Sequence, residues 1–231
     1  MDDTNENAQT VRSEKTAGQG EGSAKENFVE VIFVIDKSGS MSGTERDIVG
    51  GFNTVIEEQK KLPGKVAVST VFFDAYRRVL HNRALIDTIR PMTIEDYQPN
   101  GTTALLDAVG FALHHIGHIH RDALPDQVPD KTLVIIMTDG YENASRYYTE
   151  DKVRHDIRVC REKYGWEFRF FGANIESGDV AEAIGIERDC AEDFLADGEG
   201  IGRVYENVCC CMRAVREMPP RSPRSPRRRR S

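Results

Sequence analysis

No stretch of this chain approaches the roughly 18 to 20 consecutive apolar residues that a helix needs to cross a bilayer. The longest apolar runs, 31–35 and 133–137, have the length of buried strands. Tryptophan is limited to Trp166, and the five cysteines are odd in number, lack CxxC spacing and place three in a row at Cys209, Cys210 and Cys211. This pattern points to reduced, structural thiols. The chain also has no GxxxxGK[ST], GxSxG or GxGxxG segment, so neither a phosphate cradle nor a nucleophile elbow is written in it. Residues 1–27 hold Asp2, Asp3, Glu6, Glu14, Glu21 and Glu26 with no apolar centre. They cannot act as a secretory signal as they stand, and the expected location is the cytoplasm.

What is present is the material of one soluble α/β domain. The 231 residues are 39% hydrophobic and 30% charged, with a net charge of -7. That charge is unevenly spread: residues 1–27 carry -3, residues 213–231 carry +7, and the span between carries -11. An acidic body with a basic tail is a poor nucleic-acid platform, because phosphate contacts need cations clustered on a folded face. Residues 1–27 are too poor in apolar side chains to offset the entropy of ordering, and 218–231 is an Arg/Ser/Pro-rich run of low complexity. Both are expected to be disordered, leaving 28–217 as a single domain.

Within it, β-rich apolar runs alternate with helical spacing, the signature of a doubly wound, mainly parallel sheet with helices on both faces. Strands are expected at 29–35, 66–73, 133–137 and 168–171, and residues 77–80 can pair antiparallel with the second strand as an edge hairpin. Helical periodicity runs through Ile48 to Ile56, Leu105 to Ile116, Val153 to Tyr164 and Ile201 to Val215. Ligand sites of such sheets lie outside the carboxyl ends of the strands. The loops there carry oxygen donors.

Asp36-Lys37-Ser38-Gly39-Ser40 follows the first strand directly. Alternate residues of an extended loop point the same way, so one carboxylate and two hydroxyls can converge. Asn100-Gly101-Thr102-Thr103 leads into the second helix, and Thr138-Asp139-Gly140 ends the third parallel strand. Hard oxygen donors without thiolate or imidazole suit Mg²⁺, or Mn²⁺ in its place. Each residue also has a plainer use: Asp36, Ser38 and Thr102 can cap helices, and Asp139 can sit in a turn.

With VIFVIDKSGSMS, NGTTALLDAV and VIIMTDGYEN in this order, the chain resembles the von Willebrand factor type A domain, in an intracellular, bacterial-type form. That family's metal-ion-dependent adhesion site combines DxSxS, a threonine, and the aspartate of TDG. The resemblance spans roughly residues 27–217. It implies a metal set of Asp36, Ser38, Ser40, Thr102 and Asp139, with the three hydroxyls bound directly and the two carboxylates acting mainly through water. Thr102 is chosen because it follows Gly101 as in the family's GGT, although Asn100 replaces the first glycine; Thr103 is the fallback. The implied function is a protein-interaction module, not an enzyme, in which the ion captures a Glu or Asp of a partner. Two alternatives are a regulatory or substrate-presenting partner of an AAA-type ATPase and a Mg²⁺-dependent hydrolase. No second carboxylate stands where a DxDxT-type phosphatase needs one.

Other motifs are weaker. Tyr141, Glu142 and Asn143 sit on the same rim and can contact a partner or simply be solvated. His114 and His118, spaced i and i+4, fall on the outer side of their helix without an HExxH pattern. On the last helix Cys211 lies within the apolar stripe, Cys209 at its border and Cys210 away from it. Ser222 and Ser225 in the basic tail could be phosphorylated.

Overall fold

The computed structural model describes residues 27–219. The disorder expected for most of the leader and tail falls outside the described residues. Six strands form one sheet: β1 (Phe28–Asp36), β2 (Lys65–Phe73), β3 (Arg77–Leu85), β4 (Lys131–Thr138), β5 (Glu167–Ala173) and β6 (Ala191–Phe194). Their order is β3-β2-β1-β4-β5-β6, parallel throughout except for β3, which runs antiparallel to β2 at one edge. Five helices connect and cover them: α1 (Glu45–Lys60), α2 (Leu105–Asp122), α3 (Glu150–Tyr164), α4 (Ser177–Ala183) and α5 (Gly198–Glu217).

All nine residues of β1 are buried. Strand alternation divides its side chains: Val29, Val31, Phe33 and Ile35 enter the core under α1 and α5, whereas Ile32 and Val34 enter the core under α2 and α3. Each fully buried Ile or Phe contributes roughly 1.5–3 kcal/mol relative to an exposed one, so the continuous apolar run commits this segment to the centre of the sheet. Local chemistry fixes several helix ends. Thr149 Oγ1 accepts from the Lys152 N–H at the start of α3, Asp197 does the same for Gly200 at the start of α5, and Gly165 ends α3 with φ +63°. Gly51 of α1 is required by packing, because a Cβ there would lie 2.0 Å from Cδ2 of Tyr205 on α5.

Two elements are additional to the sequence expectations. β6 (AEDF) buries only Phe194, and α4 has seven residues. Neither is long or apolar enough to display its period. Among the described residues no helix is long and apolar enough to cross a membrane.

Candidate functional site

Connections from β1 diverge at its carboxyl end, since β2 lies on one side and β4 on the other. This is the topological switch point where a doubly wound sheet opens a crevice. Asp36, the last residue of β1, is fully buried there. Its Oδ1 accepts the Ser38 N–H at 2.7 Å, and its Oδ2 accepts Thr138 Oγ1–H at 2.6 Å. Its main-chain carbonyl accepts the Tyr97 hydroxyl at 2.5 Å. The carboxylate is therefore held in one orientation, facing β4.

The segment is not extended throughout as the sequence suggested: Ser38 leads into a single 3-10 turn, Gly39–Met41, and this turn brings the Ser38 and Ser40 Oγ atoms to 3.1 Å. Ser40 Oγ donates to Asp139 Oδ1 at 2.6 Å, which ties the first loop to the third. The loop before α2 joins through backbone bonds: Gly39 N–H to Gly101 O at 3.0 Å and Asn100 N–H to Lys37 O at 2.8 Å. A Cβ on Gly39 would lie 3.3 Å from that same Gly101 oxygen, so a glycine suits the close approach.

The structure places the two neighbouring threonines differently. Thr102 is exposed and lines a neighbouring cleft. Thr103 is buried, and its Oγ1 lies beside Gly140, 3.4 Å from where a Cβ on that glycine would be, with Ser40 Oγ 3.9 Å from the same point. Gly101 turns the chain with φ +77°. Asn143 then pins Thr103 from both sides, its Oδ1 accepting the Thr103 N–H at 2.9 Å and its N–H donating to Thr103 O at 3.0 Å. Asp36, Ser38, Ser40, Asp139 and Thr103 thus come together, and Thr102 does not join them.

Burial pushes the Asp36 carboxyl up to about 6 against the lowering effect of Thr138 and Ser38, with the Asp139 charge adding to the rise. Asp139 is also raised, chiefly by burial. Lys37, next in sequence to Asp36, does not compensate them, because it forms its ion pair with Asp74. Two acids destabilised in their charged forms, beside three neutral hydroxyls and without histidine or cysteine, make a donor set suited to a hard divalent cation.

Several contributors are not distinguished by the sequence expectations. Thr138 belongs to the TDG segment itself, so it had a visible signal; Tyr97 had none. Glu142 and Asn143, read as rim residues, are structural. Glu142 accepts from the Leu106 N–H of α2 at 2.9 Å and from Ala144 N–H, Ser145 N–H and Ser145 Oγ, while Ser145 Oγ accepts the Asp107 N–H at 2.9 Å. The β4–α3 loop therefore caps the open N–H groups of α2 from outside. Tyr141 remains exposed. His118 is exposed and His114 bonds Asp156 at 2.8 Å, while Cys209 and Cys211 pack partly against the core with Cys210 outside it. Trp166 is buried, edge-on to His120.

No protein-family model matches the chain, and a search of curated proteins likewise finds no match. Solved structures do match. The vWF domain of the type V pili tip protein Mfa5 from Porphyromonas gingivalis superposes with a TM-score of 0.59 at 9% identity, covering 84% of this chain and 97% of that one. The von Willebrand factor type A protein from Catenulispora acidiphila gives 0.52 at 17% identity, covering 80% and 42%. Proximal thread matrix protein 1 from the mussel byssus, with a zinc-occupied MIDAS motif, gives 0.54 at 16% identity, covering 81% and 46%. This chain spans less than half the length of the last two. The likeness defines the fold: this is a protein of the von Willebrand factor type A fold, with its oxygen cluster at the carboxyl end of the central strand.

Proposed function

We propose that this domain binds a protein partner through a divalent cation, Mg²⁺ or Mn²⁺, held by Asp36, Ser38, Ser40, Thr103 and Asp139. The observation that carries this reading is the convergence of two buried, uncompensated acids and three hydroxyls from three separate loops. The zinc-occupied site of the mussel protein supports a divalent ion at the corresponding place. When bound, such an ion supplies positive charge and a coordination position for a carboxylate from outside.

The chain's own residues prepare that event. Ser38 N–H and Thr138 Oγ1 keep the Asp36 carboxylate oriented, Ser40 links both serines to Asp139, and Asn143 holds Thr103 against the rim. With the three neutral hydroxyls bound directly and the two carboxylates acting mainly through water, the ion would keep local positive charge and attract a partner's Glu or Asp. A binding role, not catalysis, is also the reading favoured by the pilus-tip and thread-matrix proteins that share the fold. We place the protein in the cytoplasm on its five free thiols, Cys160, Cys190 and Cys209 to Cys211.

The test is thermal unfolding with millimolar Mg²⁺ or with EDTA, followed by affinity capture under both conditions. Mg²⁺ should raise the Tm by mass action and retain an EDTA-releasable partner. An unchanged Tm contradicts the reading. Recovery of an ATPase would identify the regulatory form of the function, and Mg²⁺-dependent turnover of a phosphoester panel would replace binding with hydrolysis.

A further inference from the structure

A cleft of about 760 Å³ adjoins the oxygen cluster, walled by the β2–β3 turn and the β4–α3 loop. Thr102 lines it, and the next residue, Thr103, faces the cluster. Its walls carry Arg77 and Arg146 together with Tyr76 and Tyr147, which are 83% and 76% exposed. About half of the described arginines are engaged with carboxylates, among them Arg78 with Asp96, Arg83 with Glu30, Arg161 with Glu187, and Arg188 with Asp179 and Glu182. Among the described residues, Arg77 and Arg146 have no ion pair. The Arg77 guanidinium lies over the Phe111 ring, 4.4 Å from its centroid.

The acid of the cleft does not neutralise them. Asp107 accepts backbone N–H groups from Arg146, Tyr147 and Tyr148 at 2.8–2.9 Å, so both its oxygens are turned to the loop. Two guanidiniums without a carboxylate partner therefore line a cleft that reaches Thr102, next in sequence to Thr103 of the oxygen cluster, in a body whose span 28–212 is strongly acidic. Arginine pairs carboxylates through parallel charge-assisted bonds, and arginine and tyrosine are the residue types enriched at energetic centres of interfaces. One extended segment advances about 3.3 Å per residue, so a few residues cover the passage from Thr103 into the cleft.

We infer that the partner presents a peptide segment with two acidic residues a few positions apart, one meeting the metal and the other held by Arg77 and Arg146. This rests on the proposed metal-dependent binding. The test measures fluorescence anisotropy of labelled Gly/Ser peptides carrying one Glu, or two Glu separated by two to four residues, with Mg²⁺-loaded protein. The two-Glu series should contain a peptide that binds at least tenfold more tightly than the one-Glu peptide. In the double variant Arg77→Ser/Arg146→Ser that preference should vanish while the Mg²⁺-dependent rise in Tm is unchanged. Equal binding of the two peptide types by the wild-type protein, no binding of either, or a preference that survives in the variant overturns the cleft assignment. A wild-type Tm indifferent to Mg²⁺ overturns the metal reading instead, so the two failures are distinguishable.

Discussion

Thr138 Oγ1 donates to Asp36 Oδ2 at 2.6 Å across the boundary between β4 and β1. This bond and the Ser38 N–H fix the carboxylate, yet burial outweighs both and keeps its pKa well above the ordinary aspartate value. The oxygen cluster is thus oriented and electrostatically unfavourable at once, as expected of a site that gains its charge balance from a bound cation.

The first prediction concerns stability without metal. The Asp36 carboxyl has a folded pKa of about 6 against 3.8 unfolded. The native state binds the proton more tightly, so stability is highest below about pH 4 in this respect and falls as pH rises toward 6. At about 1.36 kcal/mol per pKa unit, the cost above pH 6 is ~3 kcal/mol. Asp36→Asn preserves an acceptor for Ser38 N–H and offers Thr138 an amide donor. In EDTA at pH 7.5 the variant should be the more stable protein by urea denaturation, and it should lose the Mg²⁺-induced rise in Tm. A destabilised Asn variant would contradict the assignment of this cost to a buried charge.

Metal affinity should depend on pH through the same group. Binding requires the ionised carboxylates, so protons compete as pH falls through about 6. Titration calorimetry should give a nearly constant Mg²⁺ Kd above pH 7 and a loss of about tenfold per unit below pH 6 from Asp36 alone. Affinity that is flat from pH 5 to 7.5 would remove Asp36 from the site.

Thr102 and Thr103 make opposite predictions despite being neighbours. Thr103→Val should abolish the Mg²⁺ response because its hydroxyl faces Ser40 and Gly140. Thr102→Val, at an exposed position, should keep it. Thermal shifts of the two variants decide between them, and the reverse result restores Thr102.

Packing supplies a paired control. Gly51→Ala drives a Cβ into the Tyr205 ring between α1 and α5, at a cost of roughly 1–3 kcal/mol. Gly50→Ala, next in the same helix, meets nothing within 4 Å. It should stabilise by about 1 kcal/mol through helix propensity. Chemical denaturation of both variants should show shifts of opposite sign.

By itself the sequence determined the buried strands, the four long helices and the loops that carry the oxygen donors, because unbroken apolar runs and 3.6-residue stripes state which faces must leave water. It also pointed to the DxSxS and TDG loops, since their places after the first and third parallel strands are local properties, although a 3-10 turn and not extended alternation brings Ser38 and Ser40 together. Tertiary structure decided the rest. Asn143, 40 residues away, clamps the backbone of Thr103, which is buried while Thr102 stays exposed. Glu142 and Ser145 accept the N–H groups at the start of α2, and the polar AEDF segment becomes an edge strand only because β5 offers it a free side. Such outcomes depend on which backbone N–H groups of one loop are left open for the side chains of another, and no spacing within a single segment records that.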